Sequence, residues 1–139
     1  MQRLYFGHPI NTYNTDLERQ LILAINTAFP DCIIENPNAQ KHQDGYALYR
    51  EKTGNGMTYF IENVLPDCNS GIFLAFRDGK FSAGVMAEMY FFIRRGDPVR
   101  EILPNGTVIP LTIPLKERAL SAKETRVRIR DASGNIVLY

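Results

Sequence analysis

The sequence predicts a single three-layer α/β domain built on a mainly parallel, doubly wound sheet of the flavodoxin- or Rossmann-like kind. Three observations support this fold class. The chain of 139 residues fits one domain well and two domains poorly. It opens with a strand, a helix and a second strand, which is the order of a right-handed βαβ unit. Residues 71–76 form a nearly unbroken apolar run, as is typical of a strand covered on both faces.

The opening βαβ unit is predicted from three segments. Residues 4–7 form a short apolar run that ends on a glycine. Residues 15–18, Thr-Asp-Leu-Glu, match a capping box and open a helix that ends at a Phe-Pro pair. Residues 32–35 predict the second strand. The apolar stripe of the helix should contain Leu17, Leu21, Ala24, Ile25 and Ala28.

The middle of the chain predicts further helices around the apolar strand. Residues 39–55 are polar, with a short helix expected at 46–50, and residues 57–65 have a helical pattern. After the strand at 71–76, Ser82 can cap a helix that runs to about Arg95.

Residues 99–139 contain patterns typical of strands and patterns typical of helices. Residues 99–103 and 107–112 read as extended segments on either side of a Pro-Asn-Gly turn. A capping box at 121–124 favours a short helix, although residues 125–129 alternate like a strand, and 136–139 predict a terminal strand. We expect residues 1–139 to be one domain, in which 104–139 form a C-terminal extension whose structure the pattern leaves open.

Charge and composition argue against several classes of partner. The formal net charge is +1, from 16 basic and 15 acidic residues, so neither a nucleic acid polymer nor a membrane is expected as the main partner. Arg126, Arg128 and Arg130 alternate with apolar residues, and we interpret them as one solvated face.

Cysteine usage and the N-terminus indicate a cytoplasmic protein. Cys32 and Cys68 belong to no metal-binding pattern and are expected to be reduced thiols. The chain has no signal-peptide pattern and no apolar run long enough to span a membrane.

Polar residues follow the predicted strands at the edge where parallel sheets bind ligands. They include Gly7 and His8, the nearby Asn11, the loop at 36–38, and Asp78 in the turn after the apolar strand. Such residues bind polar ligands, but they also fill ordinary turns. Each loop is therefore a candidate site only.

Glu88 is the most unusual polar residue of the sequence. It interrupts an apolar helix face, with Val85, Phe91 and Phe92 as its helical neighbours, and Gly84 one turn earlier leaves space beside it. A carboxyl group in such surroundings can meet a ligand and have a raised pKa. The alternative is a solvated Glu favoured by the helix dipole.

Several common enzyme motifs are missing from the sequence. It contains neither the P-loop pattern G-x-x-x-x-G-K-[ST] nor a G-x-G-x-x-G after the first strand, which argues against P-loop and Rossmann dinucleotide enzymes. It also lacks the G-x-S-x-G elbow of serine hydrolases. No cofactor and no metal ion is therefore expected.

The order of three segments resembles the nucleoside 2-deoxyribosyltransferase family and its N-glycosidase relatives. Residues 4–7 resemble the family's first strand, 71–76 its central strand, and 84–88 (Gly-Val-Met-Ala-Glu) its G-x-x-x-E segment, with Gly96 where that helix typically ends. The resemblance covers roughly residues 3–103. The family also has an assisting carboxylate on the preceding helix, for which Glu62 and Asn63 are the nearest positions.

This resemblance implies a reaction and the residues that perform it. Glu88 would be the nucleophile that attacks C1′ of a nucleoside or nucleoside monophosphate, and Tyr5 would orient its carboxylate. Substrate contacts are expected from Gly7, His8, Asn11, Asp78 and Gly84. A homo-oligomer is also expected. The open alternatives are a non-catalytic nucleotide-binding module that uses the same crevice, and an assembly protein whose C-terminal segment mediates oligomerisation.

Overall fold

The computed structural model describes residues 2–111 and 115–139, and within them the chain forms alternating strands and helices. The strands and α-helices follow in the order β1 (Gln2–Gly7), α1 (Asp16–Ala28), β2 (Cys32–Glu35), α2 (Gln40–Thr53), α3 (Tyr59–Asn63), β3 (Ser70–Phe73), α4 (Ala83–Arg95), β4 (Val99–Ile102), β5 (Val108–Pro110) and α5 (Ala122–Ile129).

The strands form one sheet in the order β2-β1-β3-β4-β5. The first four are parallel, and β5 runs antiparallel to β4. The order reverses between β1 and β3, so the crevice outside their carboxyl ends is the switch point at which open α/β sheets bind ligands. The predicted fold class, a single α/β domain with a mainly parallel sheet, is confirmed.

The two faces of the sheet bury separate apolar cores. Side chains alternate along a strand, so Leu4 and Phe6 of β1 pack with Leu21 and Ile25 of α1, while Tyr5 points to the opposite face. That second core contains Val85, Met89 and Phe92 of α4. Because β3 is central, it contributes Ile72 to one core and Phe73 to the other. This explains its unbroken apolar sequence.

The start of α1 only partly matches the predicted capping box. The Thr15 hydroxyl accepts a hydrogen bond from the Glu18 amide at 3.2 Å, as predicted. The Glu18 carboxylate, however, accepts from the Asn14 amide at 3.1 Å and from His8. The second half of the predicted box is therefore wrong, because His8 draws the carboxylate towards β1. Ala28, placed on the apolar stripe, is exposed.

The helices between β2 and β3 differ most from the prediction. Helix α2 is 14 residues long and ends at Gly54, whose φ of 73° suits a left-handed cap. Its apolar residues are clustered at 46–49, so its sequence carries no apolar periodicity. The helix expected at 57–65 is divided into a 3₁₀ turn, α3 and a second 3₁₀ turn at Leu65–Asp67. The strand predicted at 71–76 ends at Phe73, and Phe76 enters a turn in which its amide bonds the Lys80 carbonyl.

The C-terminal region packs onto the domain. The capping box of Ser121 and Glu124 is confirmed and opens α5, so the strand-like alternation of residues 125–129 is misleading. The terminal strand predicted at 136–139 is wrong: only a single bridge joins Arg130 and Ile136. The predicted extended segment 107–112 contains β5, and its last residue lies outside the described residues.

No helix in the described part of the chain combines the length and apolarity needed to cross a membrane. Both cysteines are free thiols. Burial raises the pKa of Cys68 to about 12. Residues 2–111 and 115–139 contain no cluster of three or more His, Cys, Asp or Glu side chains that could hold a metal ion.

Candidate functional site

A cavity of about 430 Å³ lies at the carboxyl end of β1, between α3, the first turns of α4, and α5. Its walls are mainly apolar and aromatic. The lining residues are His8, Pro9, Ile10, Tyr13, Gln43, Tyr46, Gly56, Phe60, Ile61, Ser82, Ala83, Gly84, Val85, Ala87, Glu88, Ala122, Thr125, Arg126 and Ile129. The pocket thus occupies the switch point of the sheet, where a ligand site was expected.

Gly7, the last residue of β1, allows α4 to approach the strand closely. A Cβ atom at this position would lie 2.5 Å from the Phe73 ring and 3.1 Å from Oε1 of Glu88. The first distance is shorter than real Cβ contacts, so a side chain here would force the ring or the backbone to move. The glycine therefore keeps the Glu88 carboxylate beside the end of β1, although Gly7 itself does not line the pocket.

The first turn of α4 places Glu88 on the pocket wall. The Ser82 hydroxyl caps the helix by accepting from the Val85 amide at 3.1 Å. Gly84 and Glu88 are one turn apart and face the pocket together, and no atom lies within 4 Å of the place where a Cβ of Gly84 would be. The predicted space beside Glu88 is present.

Tyr5 and Glu88 form the central contact of the site. The Tyr5 hydroxyl donates to Oε2 of Glu88 at 2.5 Å. Tyr5 is fully buried, and its ring packs among Phe60, Phe73 and Phe92 with centroid distances of 6.2 to 6.4 Å. Glu88 is partly exposed to the cavity and forms no ion pair within the residues that the structure describes. The sequence prediction that these two side chains meet is confirmed.

The surroundings of Glu88 favour its protonated form. Burial raises its pKa to about 8, and the hydrogen bond from Tyr5 lowers the pKa by a smaller amount. Burial, and then the charge of Glu88, raise the pKa of Tyr5 well above its ordinary value. Tyr5 therefore keeps its proton as a hydrogen-bond donor, and Glu88 is the member of the pair that titrates near neutral pH.

His8 lines the pocket with its ring but has no free nitrogen. Its Nδ1 contacts the Phe6 carbonyl at 2.9 Å and its Nε2 contacts Glu18 at 2.7 Å. Burial opposes ionisation of Glu18, but hydrogen bonds from His8, the Asn14 amide and Asn38 hold its pKa below the ordinary value. Both ring nitrogens of His8 are therefore engaged by acceptor groups of its own chain. Its ring lines the pocket and can pack against a ligand, while its nitrogens are occupied by these contacts.

Asn11 and Asp78 do not line the pocket, and their expected contact with a substrate stays a prediction. The Asn11 amide donates to the carbonyls of Arg128 and Val137 at 3.2 and 3.0 Å, and thus ties α5 and the tail to the loop after β1. Asp78 forms an ion pair with Arg128 at 2.7 Å. Both residues are used to attach the C-terminal region.

The structure also adds pocket residues that were not predicted. Tyr13, Tyr46 and Phe60 supply the aromatic surface, and Arg126 lies on the wall formed by α5. A signal for the last was present, because Ala122, Thr125, Arg126 and Ile129 are spaced as one face of a helix. Glu62 and Asn63, the nearest candidates for an assisting carboxylate, do not line the pocket.

Comparisons of the chain with protein-family models, curated proteins and solved structures found no match. The resemblance to the deoxyribosyltransferase family therefore stays a prediction.

Proposed function

We propose that the protein cleaves or exchanges the N-glycosidic bond of a nucleoside or nucleoside monophosphate, with Glu88 as the nucleophile. The main support for the proposal is the hydrogen bond between Tyr5 and Glu88. Glu88 lies on the wall of an apolar pocket at the switch point of the sheet. One carboxylate oxygen is held by the phenol, and the other is left available for a ligand.

The proposed reaction has two steps. In the first, Oε1 of the ionised Glu88 attacks C1′ of the sugar, the bond between C1′ and the base nitrogen breaks, and its electron pair leaves with the base. The product is a glycosyl ester of Glu88. In the second step water or another base attacks C1′, its proton passes to the base anion released in the first step, and the ester bond breaks, which restores the carboxylate. Two displacements at C1′ retain its configuration.

The environment of Glu88 suits this role when the carboxyl group is ionised. Burial that raises its pKa to about 8 also leaves the carboxylate poorly solvated. Tyr5 fixes its orientation, because the phenol is enclosed by aromatic rings on β3, α3 and α4. The aromatic side chains of Tyr13, Tyr46 and Phe60 offer flat apolar surfaces on which a nucleobase can stack.

A non-catalytic nucleotide-binding module is the second candidate function. It is favoured by the same raised pKa, because a carboxyl group with a pKa of about 8 is mostly neutral at pH 7 and can donate a hydrogen bond to a ligand. This candidate predicts that nucleotides raise the melting temperature without any release of free base.

Base release separates the two candidates. The wild-type protein is incubated with the common ribo- and deoxyribonucleosides and their 5′-monophosphates, with and without a second free base as acceptor. The proposal predicts release or exchange with at least one substrate and its loss in Glu88→Gln. Thermal stabilisation with no product across the whole panel would instead support the binding module.

A further inference from the structure

Arg126 differs from the two arginines that follow it on α5. Arg128 is held by Asp78 at 2.7 Å and by the Glu124 carbonyl at 3.1 Å, and Arg130 donates to the Gly134 carbonyl at 3.0 Å. The guanidinium of Arg126 makes no hydrogen bond and no ion pair within residues 2–111 and 115–139. Arg126 and Arg130 are exposed and Arg128 is half-buried, so the predicted solvated face holds for two of the three, and Arg126 also lines the pocket.

The charge of Arg126 has no counterpart on its side of the pocket. Among the described lining residues it is the only Lys or Arg, and Glu88 is the only acidic residue. Glu88 is engaged by Tyr5 and is mostly protonated near neutral pH, since burial raises its pKa to about 8. The pocket in its resting state therefore carries an unneutralised positive charge.

The backbone that carries Arg126 is fixed relative to Glu88. The hydroxyl of Thr125 accepts a hydrogen bond from the Ala83 amide at 2.9 Å, which joins α5 to the start of α4. The Asn11 side chain holds the end of α5 through the Arg128 carbonyl. Arg126 thus lines the same pocket as Glu88, from a helix that is tied to both α4 and the loop after β1.

We infer that the ligand of this pocket carries an oxyanion of the phosphate monoester class, and that Arg126 binds it. The inference rests on the proposed function in naming the ligand a nucleoside monophosphate. Base and sugar acceptors of a neutral nucleoside can bind a guanidinium, but only the phosphate monoester brings the negative charge that neutralises it, and it accepts two parallel N–H bonds. The apolar walls receive the base, and Arg126 makes the monophosphate the preferred form of the substrate.

The test compares each nucleoside with its own 5′-monophosphate. Affinity is measured by ligand-induced shifts in melting temperature and, where base is released, by kcat/KM. Because Arg126 is exposed to solvent, we expect the monophosphate to be preferred by about tenfold. Arg126→Gln should abolish the preference. Lys123→Gln, which removes the same charge from an exposed position of α5 outside the pocket, should keep it.

The outcomes separate this inference from the proposed function. Equal affinity for nucleosides and monophosphates, or a preference that survives Arg126→Gln, would overturn the inference even if base is released. A preference that Arg126→Gln abolishes supports the inference, even if no base is released and the glycosidic reaction fails. A nucleoside 5′-carboxylate is the third probe, and binding as tight as that of the monophosphate would overturn the assignment to phosphate.

Discussion

The protonation of Glu88 depends on a balance between burial and one hydrogen bond. Burial disfavours the carboxylate, and the Tyr5 hydroxyl, donating at 2.5 Å, favours it. Since burial is the larger effect, the pKa stays near 8. The ionised form of Glu88, which is the proposed nucleophile, is therefore most abundant in mildly alkaline solution. The Tyr5 hydroxyl stabilises this form, so loss of the hydroxyl should reduce its population at a given pH.

Removing the Tyr5 hydroxyl should shift the pH profile upwards. In Tyr5→Phe the carboxylate loses its donor while the surrounding rings stay in place, so the pKa of Glu88 rises above about 8. We expect the midpoint of the rise in kcat/KM with pH to move to higher pH, with a lower rate at pH 7. Tyr90→Phe, on the outer side of α4, is the matched control and should leave the midpoint unchanged. A midpoint that stays or moves down in Tyr5→Phe would contradict this account of the pair.

The surroundings of individual residues could be predicted from the sequence where neighbours on the same helix define them. Glu88 stood out because its helical neighbours are apolar, and Gly84 because it leaves space one turn away. The sequence did not predict the intrachain contacts of Asn11 and Asp78, whose partners lie 117 and 50 positions away along the chain. Contacts between such distant positions have no local sequence signal. The loop positions of these two residues therefore predicted a contact with a ligand.

At the scale of elements, α5 and the tail complete the pocket although they come from the far end of the chain. Helix α5 provides one wall, and Tyr139 anchors the tail by donating to the Ala75 carbonyl at 2.5 Å. The buried Asn11 joins both pieces to the loop after β1. Asn11 is thus one of several side chains that hold this wall in position, together with Asp78, Thr125 and Tyr139.

Replacing Asn11 should loosen this wall and lower stability. Asn11→Ala leaves the carbonyls of Arg128 and Val137 without their donor, and we expect the free energy of unfolding in urea to fall by about 1–3 kcal/mol. Asn26→Ala, at an exposed site on α1, is the control and should change stability little. If both variants unfold at the same urea concentration as the wild type, Asn11 does not hold the C-terminal region.

Helices could be predicted where an apolar periodicity and a capping residue indicate the same boundaries. Helix α4 was predicted from Ser82 to about Arg95 because its cap and apolar face coincide, and it runs over Ala83–Arg95. Helix α2 is mainly polar and its few apolar residues are not spaced along one face, so most of it was not predicted. Residues 125–129 alternate like a strand, yet the capping box at Ser121 decides in favour of a helix.

For the whole molecule, the buried carboxyl group links stability to pH. Glu88 has a pKa of about 8 in the folded state and an ordinary value of 4.5 when unfolded. Between these values the folded protein binds more protons than the unfolded chain, so this group lowers the free energy of unfolding as pH rises from about 4.5 to 8.

Glu88→Gln should remove this part of the pH dependence. We expect the melting temperature of the variant to exceed that of the wild type at pH 8 to 9, and the difference to shrink towards pH 5, because only the wild type must desolvate a charge at high pH. Glu51→Gln, at an exposed position of α2, should follow the wild type. A difference in melting temperature between Glu88→Gln and the wild type that stays constant from pH 5 to 9 would contradict a raised pKa.

At the scale of the fold, the sequence predicted the fold class correctly, but it did not predict the order of the strands in the sheet. The opening βαβ unit and the apolar β3 predict a parallel sheet. The order β2-β1-β3-β4-β5 and the antiparallel β5 depend on contacts between distant segments and became visible only in the structure. The switch point between β1 and β3, and therefore the location of the pocket, follows from that order.

The central claim is that Glu88 forms a covalent bond to the sugar, and intact-mass spectrometry tests it most directly. The protein is mixed with the best substrate from the base-release panel and quenched in acid within the first turnovers. We predict an added mass equal to one glycosyl group, mapped by proteolysis to the peptide that contains Glu88. It should be present in Glu51→Gln and missing from Glu88→Gln. Rapid base release with no adduct, or an adduct that persists in Glu88→Gln, would contradict the assignment of Glu88 as nucleophile.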